Sequence, residues 1–171
     1  MNSKTIITIA LVLLAITGLF VWGRSNAGKA SLVANHAGAP QNASRSLLVA
    51  SETLHDFGTI RMANGNVSKV FTVSNPTDKS ITVKTMYTSC MCTTATLEVR
   101  GEKFGPYGMP GHGFIPKINQ IINLNEEASL EVVFDPAAHG PAGVGKIQRV
   151  VTIEQGGGSQ LEFGFVATVT P

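Results

Sequence analysis

Residues 159–170 read SQLEFGFVATVT, and this stretch decides the fold class. Leu161, Phe163 and Phe165 alternate with other residues, which places their side chains on one face of a β-strand. After Trp22 we find no convincing apolar spacing of i, i+3, i+4, the pattern of an amphipathic helix. The same short, β-rich character recurs in four more stretches: 67–75, 80–88, 127–134 and 146–154. We therefore predict an all-β domain.

Turn residues separate these strands at short intervals. Asn75-Pro76-Thr77-Asp78 is an example, because the fixed φ angle of proline suits the second residue of a β-turn. Such spacing is typical of an antiparallel two-sheet sandwich with an immunoglobulin-like architecture. We expect its core to contain Phe71, Phe134, Phe163 and Phe165.

One segment breaks the regular spacing of strands. Residues 101–117, GEKFGPYGMPGHGFIPK, contain five glycines and three prolines. Proline cannot donate to the hydrogen-bond ladder in the middle of a sheet, so this segment cannot be a central strand. We predict a long loop here, and loops of this length are often functional.

The chain begins with an apolar run from Ile6 to Trp22, IITIALVLLAITGLFVW. As a helix it would span roughly 25 Å, close to the hydrocarbon thickness of a bilayer. We predict a transmembrane anchor in residues 1–23, with 5–23 in the membrane. The alternative is a cleaved signal peptide, because Ser25-Asn26-Ala27 offers small residues for a signal peptidase.

The segment 24–46 is rich in Ala, Ser, Asn and Gly and predicts a flexible linker to a domain at 47–171. From Leu47 onward the chain has nine Lys or Arg against eleven Asp or Glu, a net charge of −2. Nucleic-acid binding needs clustered cations, so we expect no nucleic-acid partner.

Three motifs in succession resemble a bacterial family of unknown function. They are His55-Asp56-Phe57-Gly58, then Phe71 to Asn75 with its final asparagine, then Ser89-Cys90-Met91-Cys92-Thr93. This order is similar to that of domain-of-unknown-function family 1573. The resemblance implies an exported protein with an immunoglobulin-like fold related to the Hydin and major-sperm-protein domains. It implies no established activity.

Cys90 and Cys92 are the only cysteines. Two residues apart on an extended strand, their Cα atoms would lie about 6.5 to 7 Å apart, at the limit of disulfide geometry. A bridge would therefore need a local kink and would be comparatively reducible. The alternatives are a disulfide, which an oxidising compartment favours, a pair of inert buried thiols, or two metal ligands.

A metal site would need more ligands than two cysteines. Met109 and His112 lie in the glycine-rich loop and could supply them, and this donor set suits copper better than zinc. Among the histidines we favour His112 as a metal ligand. His139 lies in the segment Asp135-Pro136-Ala137-Ala138-His139-Gly140-Pro141, whose residue types are typical of a turn.

No catalytic motif is visible, and we expect the protein not to be an enzyme. The leading hypothesis is a single-pass protein of the cytoplasmic membrane, whose outer domain binds an envelope protein or polymer. The second is a soft-metal site of Cys90, Cys92, Met109 and His112. The third is a thiol oxidoreductase, ranked last because the sequence shows no cation beside the cysteines.

Overall fold

The computed structural model describes residues 46–112 and 117–171. The predicted anchor, residues 24–45 of the linker and residues 113–116 of the predicted loop lie outside this part of the chain. Within it, no helix is long and apolar enough to cross a membrane. The described residues contain ten strands: β1 (Val49–Ala50), β2 (Leu54–Arg61), β3 (Val67–Ser74), β4 (Ile81–Thr88), β5 (Thr93–Val99), β6 (Glu102–Tyr107), β7 (Gln120–Ile122), β8 (Glu127–Phe134), β9 (Gly145–Gln155) and β10 (Gln160–Thr170).

The strands form two five-stranded sheets, which confirms the all-β sandwich. One sheet has the order β1-β3-β8-β5-β6, and the other has the order β2-β10-β9-β4-β7. The predicted antiparallel pairing is found in every pair of the described strands except one, because β2 pairs in parallel with β10. The second sheet is therefore mixed, whereas every pair in the first is antiparallel.

The core lies between the sheets and follows from alternation along the strands. Every second residue of β5 and of β8 is buried. Aromatic side chains connect the layers: the rings of Phe71 and Phe163 lie 5.0 Å apart, and those of Phe134 and Phe165 lie 5.3 Å apart. The four predicted core phenylalanines are all buried, and full burial of each contributes about 2 to 3 kcal/mol.

Five predicted strands are confirmed as β3, β4, β8, β9 and β10. The first part of the predicted loop is instead β6, which lies at a sheet edge where its proline needs no partner. Gly105 in β6 permits a close approach, because a Cβ at this position would lie 2.7 Å from the carbonyl oxygen of Ala95. Gly58 in β2 adopts a φ of +68° at a register shift between β2 and β10.

Asn75, completely buried just after β3, connects two segments of backbone. Its side-chain amide donates to the carbonyl oxygens of Lys79, Ile122 and Asn123 at 2.8 to 3.0 Å. Its side-chain oxygen accepts from the backbone N–H of Thr77 at 3.0 Å. This one residue therefore holds the turn after β3 against the segment after β7.

Replacing Asn75 by Asp should destabilise the domain by roughly 2 to 4 kcal/mol, because a buried carboxylate would face three carbonyl oxygens that lose their donor. Chemical denaturation of Asn75→Asp and wild type measures the difference. The control is Asn66→Asp, which changes an exposed asparagine and should alter the free energy of unfolding by less than about 0.5 kcal/mol. Equal effects of the two substitutions would contradict this role of Asn75.

Candidate functional site

The chain crosses between the two sheets twice at the same end of the sandwich. Residues 89–92 connect β4 of the second sheet to β5 of the first, and residues 135–144 connect β8 of the first sheet to β9 of the second. The crossings adjoin because Thr93, at the start of β5, pairs with Phe134, at the end of β8. Both cysteines lie in the first crossing, which is the candidate site.

Hydrogen bonds hold the first crossing on both sides. The buried hydroxyl of Thr88 lies 2.9 Å from the carbonyl oxygen of Cys90 and 3.0 Å from that of Thr93, and donates to this pair. The backbone N–H of Asp135 donates to the carbonyl oxygen of Cys92 at 2.9 Å. The backbone N–H of Ser89 donates to the carbonyl oxygen of Val150 on β9 at 2.9 Å. The turn is therefore attached to its own strands, to β9 and to the second crossing.

Cys90 and Cys92 form a disulfide across this turn. Their Cα atoms are 5.2 Å apart, shorter than an extended strand allows. The shortening comes from the turn, in which the backbone N–H of Thr93 donates to the carbonyl oxygen of Cys90 at 3.2 Å. The predicted kink is thus confirmed, and among the described residues there is no free cysteine.

Two basic side chains contact the sulfur atoms. His139 Nε2 lies 3.2 Å from Cys90 Sγ, and the Nε–H of Arg149 donates to Cys92 Sγ at 3.3 Å. His139 comes from the second crossing and Arg149 from β9. Each sulfur therefore has its own basic neighbour, and the two neighbours come from different segments of the chain.

The two cysteines are both buried, and Cys90 is the less buried of them. Cys90 is 8% exposed and Cys92 is 3% exposed, whereas Met91 between them is 52% exposed. His139 and Arg149, which contact the sulfurs, also line a shallow groove of about 360 Å³. Its basic residues are His139, Lys146 and Arg149, and Val144 supplies an exposed apolar side chain.

The described ligand cluster consists of Cys90, Cys92 and His139, whose ligand atoms all lie within 4.8 Å of one another. His112 is not a member of this cluster, and its side chain is exposed. The loop does begin near the cysteines, since the carbonyl oxygen of Gly108 accepts from the backbone N–H of Thr88 at 3.1 Å. A site that includes Met109 and His112 stays a prediction.

The sequence pattern indicates neither His139 nor Arg149 as a residue of the site. His139 lies 49 residues from Cys90, and Arg149 lies 57 residues from Cys92. Only the pairing of β5 with β8, and of β4 with β9, brings them to the cysteines. The reason for ranking a thiol oxidoreductase last, the lack of a neighbouring cation, is therefore removed.

The model of a family described as protein of unknown function, DUF1573, matches residues 48–105. This match confirms the resemblance over the segment that contains both cysteines, and it ends before His139 and Arg149. No curated protein matches the chain.

Several solved structures have a similar fold. A protein of unknown function from Porphyromonas gingivalis W83 is 12% identical with a TM-score of 0.52, and the match covers 74% of this chain and 48% of that one. The chain thus spans about half the length of that protein. A family 123 glycoside hydrolase from Clostridium perfringens is 8% identical with a TM-score of 0.50, covering 73% of this chain and 27% of that one. The PapD-like domain 7 of human CEP192 is 11% identical, with a TM-score of 0.44, 82% coverage of this chain and 97% of its own. At these identities the likeness extends to the fold alone.

Arg149 should stabilise the thiolate of Cys92 in the reduced protein, because a guanidinium next to sulfur favours the charged form. In a Cys90→Ser background, we expect Arg149→Met to move the titration of the remaining thiol to higher pH. Thiolate absorbance in the ultraviolet, followed as the pH is raised, measures this midpoint.

Lys146→Met is the matched control, since Lys146 lies on the same strand and lines the same groove. This substitution should move the midpoint much less than Arg149→Met. Identical midpoints in Arg149→Met and its parent would show that the contact with Cys92 has no electrostatic consequence.

Proposed function

We propose that this protein is a membrane-tethered, immunoglobulin-like domain of the bacterial cell envelope that exchanges disulfides with a partner protein through Cys90 and Cys92. The observation that carries the proposal is the pair of basic side chains at the sulfurs. Reactive cysteines characteristically have a cationic or proton-accepting neighbour, and here His139 and Arg149 lie 3.2 and 3.3 Å from the two sulfur atoms.

The small separation of the cysteines also favours exchange over a purely structural role. A disulfide stabilises a fold mainly by closing a loop in the unfolded chain, and the benefit grows with loop length. Cys90 and Cys92 are only two positions apart, so their bridge restrains very little chain. Hydrogen bonds from Thr88 and Asp135 already hold the turn. The bridge therefore contributes little to the stability of the fold.

The burial of the two cysteines suggests the order of steps. A thiolate of a partner dithiol attacks Sγ of Cys90, the less buried of the two cysteines, and the bond between the cysteines breaks. Cys92 leaves as a thiolate next to Arg149, which stabilises its charge. The second thiolate of the partner then attacks the mixed disulfide and releases Cys90. Two electrons pass from partner to domain, so the partner becomes a disulfide and the domain a dithiol, which takes up two protons.

His139 is suited to proton transfer at the attacked sulfur. Its imidazole can accept or donate a proton, and its Nε2 atom lies beside Cys90 Sγ. It can accept the proton of an incoming thiol or return one to Cys90. The cations of the groove further favour a partner whose thiol is flanked by carboxylates.

The proposed location rests on two features of the chain. The apolar run from Ile6 to Trp22 is long enough to span a bilayer. The disulfide between Cys90 and Cys92 belongs to an oxidising compartment such as the outer side of the cytoplasmic membrane. An envelope protein with its own thiol pair is accordingly the partner.

The exchange mechanism predicts an asymmetry between the two cysteines. In Cys92→Ser, the thiolate of Cys90 attacks the disulfide of the oxidised partner, which is the exchange run in reverse, and Cys92 is absent to complete the release of the partner, so we expect a covalent adduct to accumulate. Cys90→Ser leaves only the more buried Cys92 and should trap far less. Non-reducing electrophoresis of both variants, recovered from cells after acid quenching and alkylation, measures the adducts.

The double variant Cys90→Ser/Cys92→Ser provides the background level. Adducts that appear equally in both single variants would contradict the assignment of Cys90 as the attacked sulfur. If neither variant forms more adduct than the double variant, the exchange function itself is wrong.

Removal of residues 1–23 tests the location. The full chain should sediment with membranes and be cleaved when protease is added to intact protoplasts, whereas the shortened chain should be cytosolic and protected. Immunoblots of the two fractions measure this. A full-length chain that stays intact on protoplasts under conditions that cleave a known outer protein would refute an extracytoplasmic domain.

A further inference from the structure

The ligand cluster of Cys90, Cys92 and His139 has a use that disulfide exchange does not require. We propose that the dithiol form of this site binds one Cu(I) ion through Cys90 Sγ, Cys92 Sγ and His139 Nε2. The inference rests on the proposed function only in that the cysteines must be reduced, by a partner dithiol in the cell or by a phosphine in vitro. Binding of Cu(I) then releases the two thiol protons.

The three ligand atoms already converge. They lie within 4.8 Å of one another, and His139 Nε2 is 3.2 Å from Cys90 Sγ. Metal bonds of about 2.0 to 2.3 Å to nitrogen and sulfur hold the ligand atoms of a three-coordinate ion roughly 3.5 to 4 Å apart. Reduction lets the sulfurs separate to this distance, while the exposed His139 can move by about 1 Å to complete the site.

The chemistry of the donors favours Cu(I). Two thiolates and one imidazole form a soft donor set, which suits Cu(I). A structural zinc site almost always has four protein ligands, and the described cluster has three. The cluster therefore fits a three-coordinate soft ion better than a tetrahedral one.

Charge balance points to the same ion. Two thiolates with Cu(I) carry a net charge of −1, and the guanidinium of Arg149 at Cys92 Sγ neutralises it. Two thiolates with Zn(II) are already neutral, so Arg149 would add an unbalanced positive charge beside a divalent cation. Arg149 thus acts against zinc and supports the monovalent metal.

Formation of the disulfide removes both thiolates. The oxidised protein should therefore not bind Cu(I) at this site, and oxidation should release the ion. Metal binding and disulfide exchange are alternative uses of the same sulfurs.

The test is a competition titration of the full-length protein in detergent, reduced with a phosphine, against Cu(I) held by bathocuproine disulfonate. We expect wild type to withdraw one equivalent of Cu(I), and His139→Asn to bind at least about tenfold more weakly. His112→Asn is the matched control and should bind like wild type. The oxidised protein and Cys90→Ser/Cys92→Ser should withdraw no copper.

Unchanged affinity in His139→Asn would overturn the proposal, and so would weaker binding in His112→Asn, which would place the ligand in the glycine-rich loop. Preference for Zn(II) over Cu(I) would overturn the choice of metal. Thermal unfolding of the variants establishes that each is folded. The titration uses chemically reduced protein and no partner, so a negative result would not argue against disulfide exchange. The trapping experiment involves no metal, so its result does not depend on copper binding.

Discussion

One backbone hydrogen bond, from the N–H of Asp135 to the carbonyl oxygen of Cys92, joins the two crossings that build the candidate site. It continues the ladder between β5 and β8 beyond the last paired residues, Thr93 and Phe134. Because the ladder ends in this way, the turn with both cysteines and the segment with His139 leave the first sheet side by side. The position of His139 next to Cys90 Sγ follows from this constraint.

The sandwich fixes this geometry through burial and not through the disulfide. The strands that flank the turn are packed on both sides of the core, and the phenylalanines at 71, 134, 163 and 165 connect the layers. The single hydroxyl hydrogen of Thr88 is shared between the carbonyl oxygens of Cys90 and Thr93. Opening the disulfide should therefore leave the turn in place, with two thiols held near His139 and Arg149. A preorganised turn of this kind serves both disulfide exchange and the capture of a soft metal ion.

Alternating apolar residues predicted β3, β4, β8, β9 and β10, because each has bulky side chains on its buried face. The pattern of β5 is weaker: its buried positions include Thr93 and Ala95, which are small or polar. In β2, Gly58 interrupts the alternation, and the strand depends on its parallel pairing with β10. The short β7 contains only three residues. Local sequence patterns do not encode such long-range pairing.

For the same reason, the sequence predicts the two cysteines of the candidate site and not their basic neighbours. The spacing of the cysteines predicted a pair of sulfurs that needs a kink, and the structure contains this kink as a turn between sheets. The basic neighbours come from about 50 residues further along the chain and are brought in by strand order alone. His139 lies after an Asp-Pro turn and looks like a loop residue in the sequence.

The measurement that tests the central claim most directly is the reduction potential of the Cys90–Cys92 pair, determined by equilibrating the full-length protein with defined ratios of a reduced and an oxidised dithiol. A bridge across so short a segment, with Arg149 favouring the released thiolate, should have a potential above about −300 mV, the range of exchangeable disulfides. A potential below this value would identify an inert structural bridge and contradict the account.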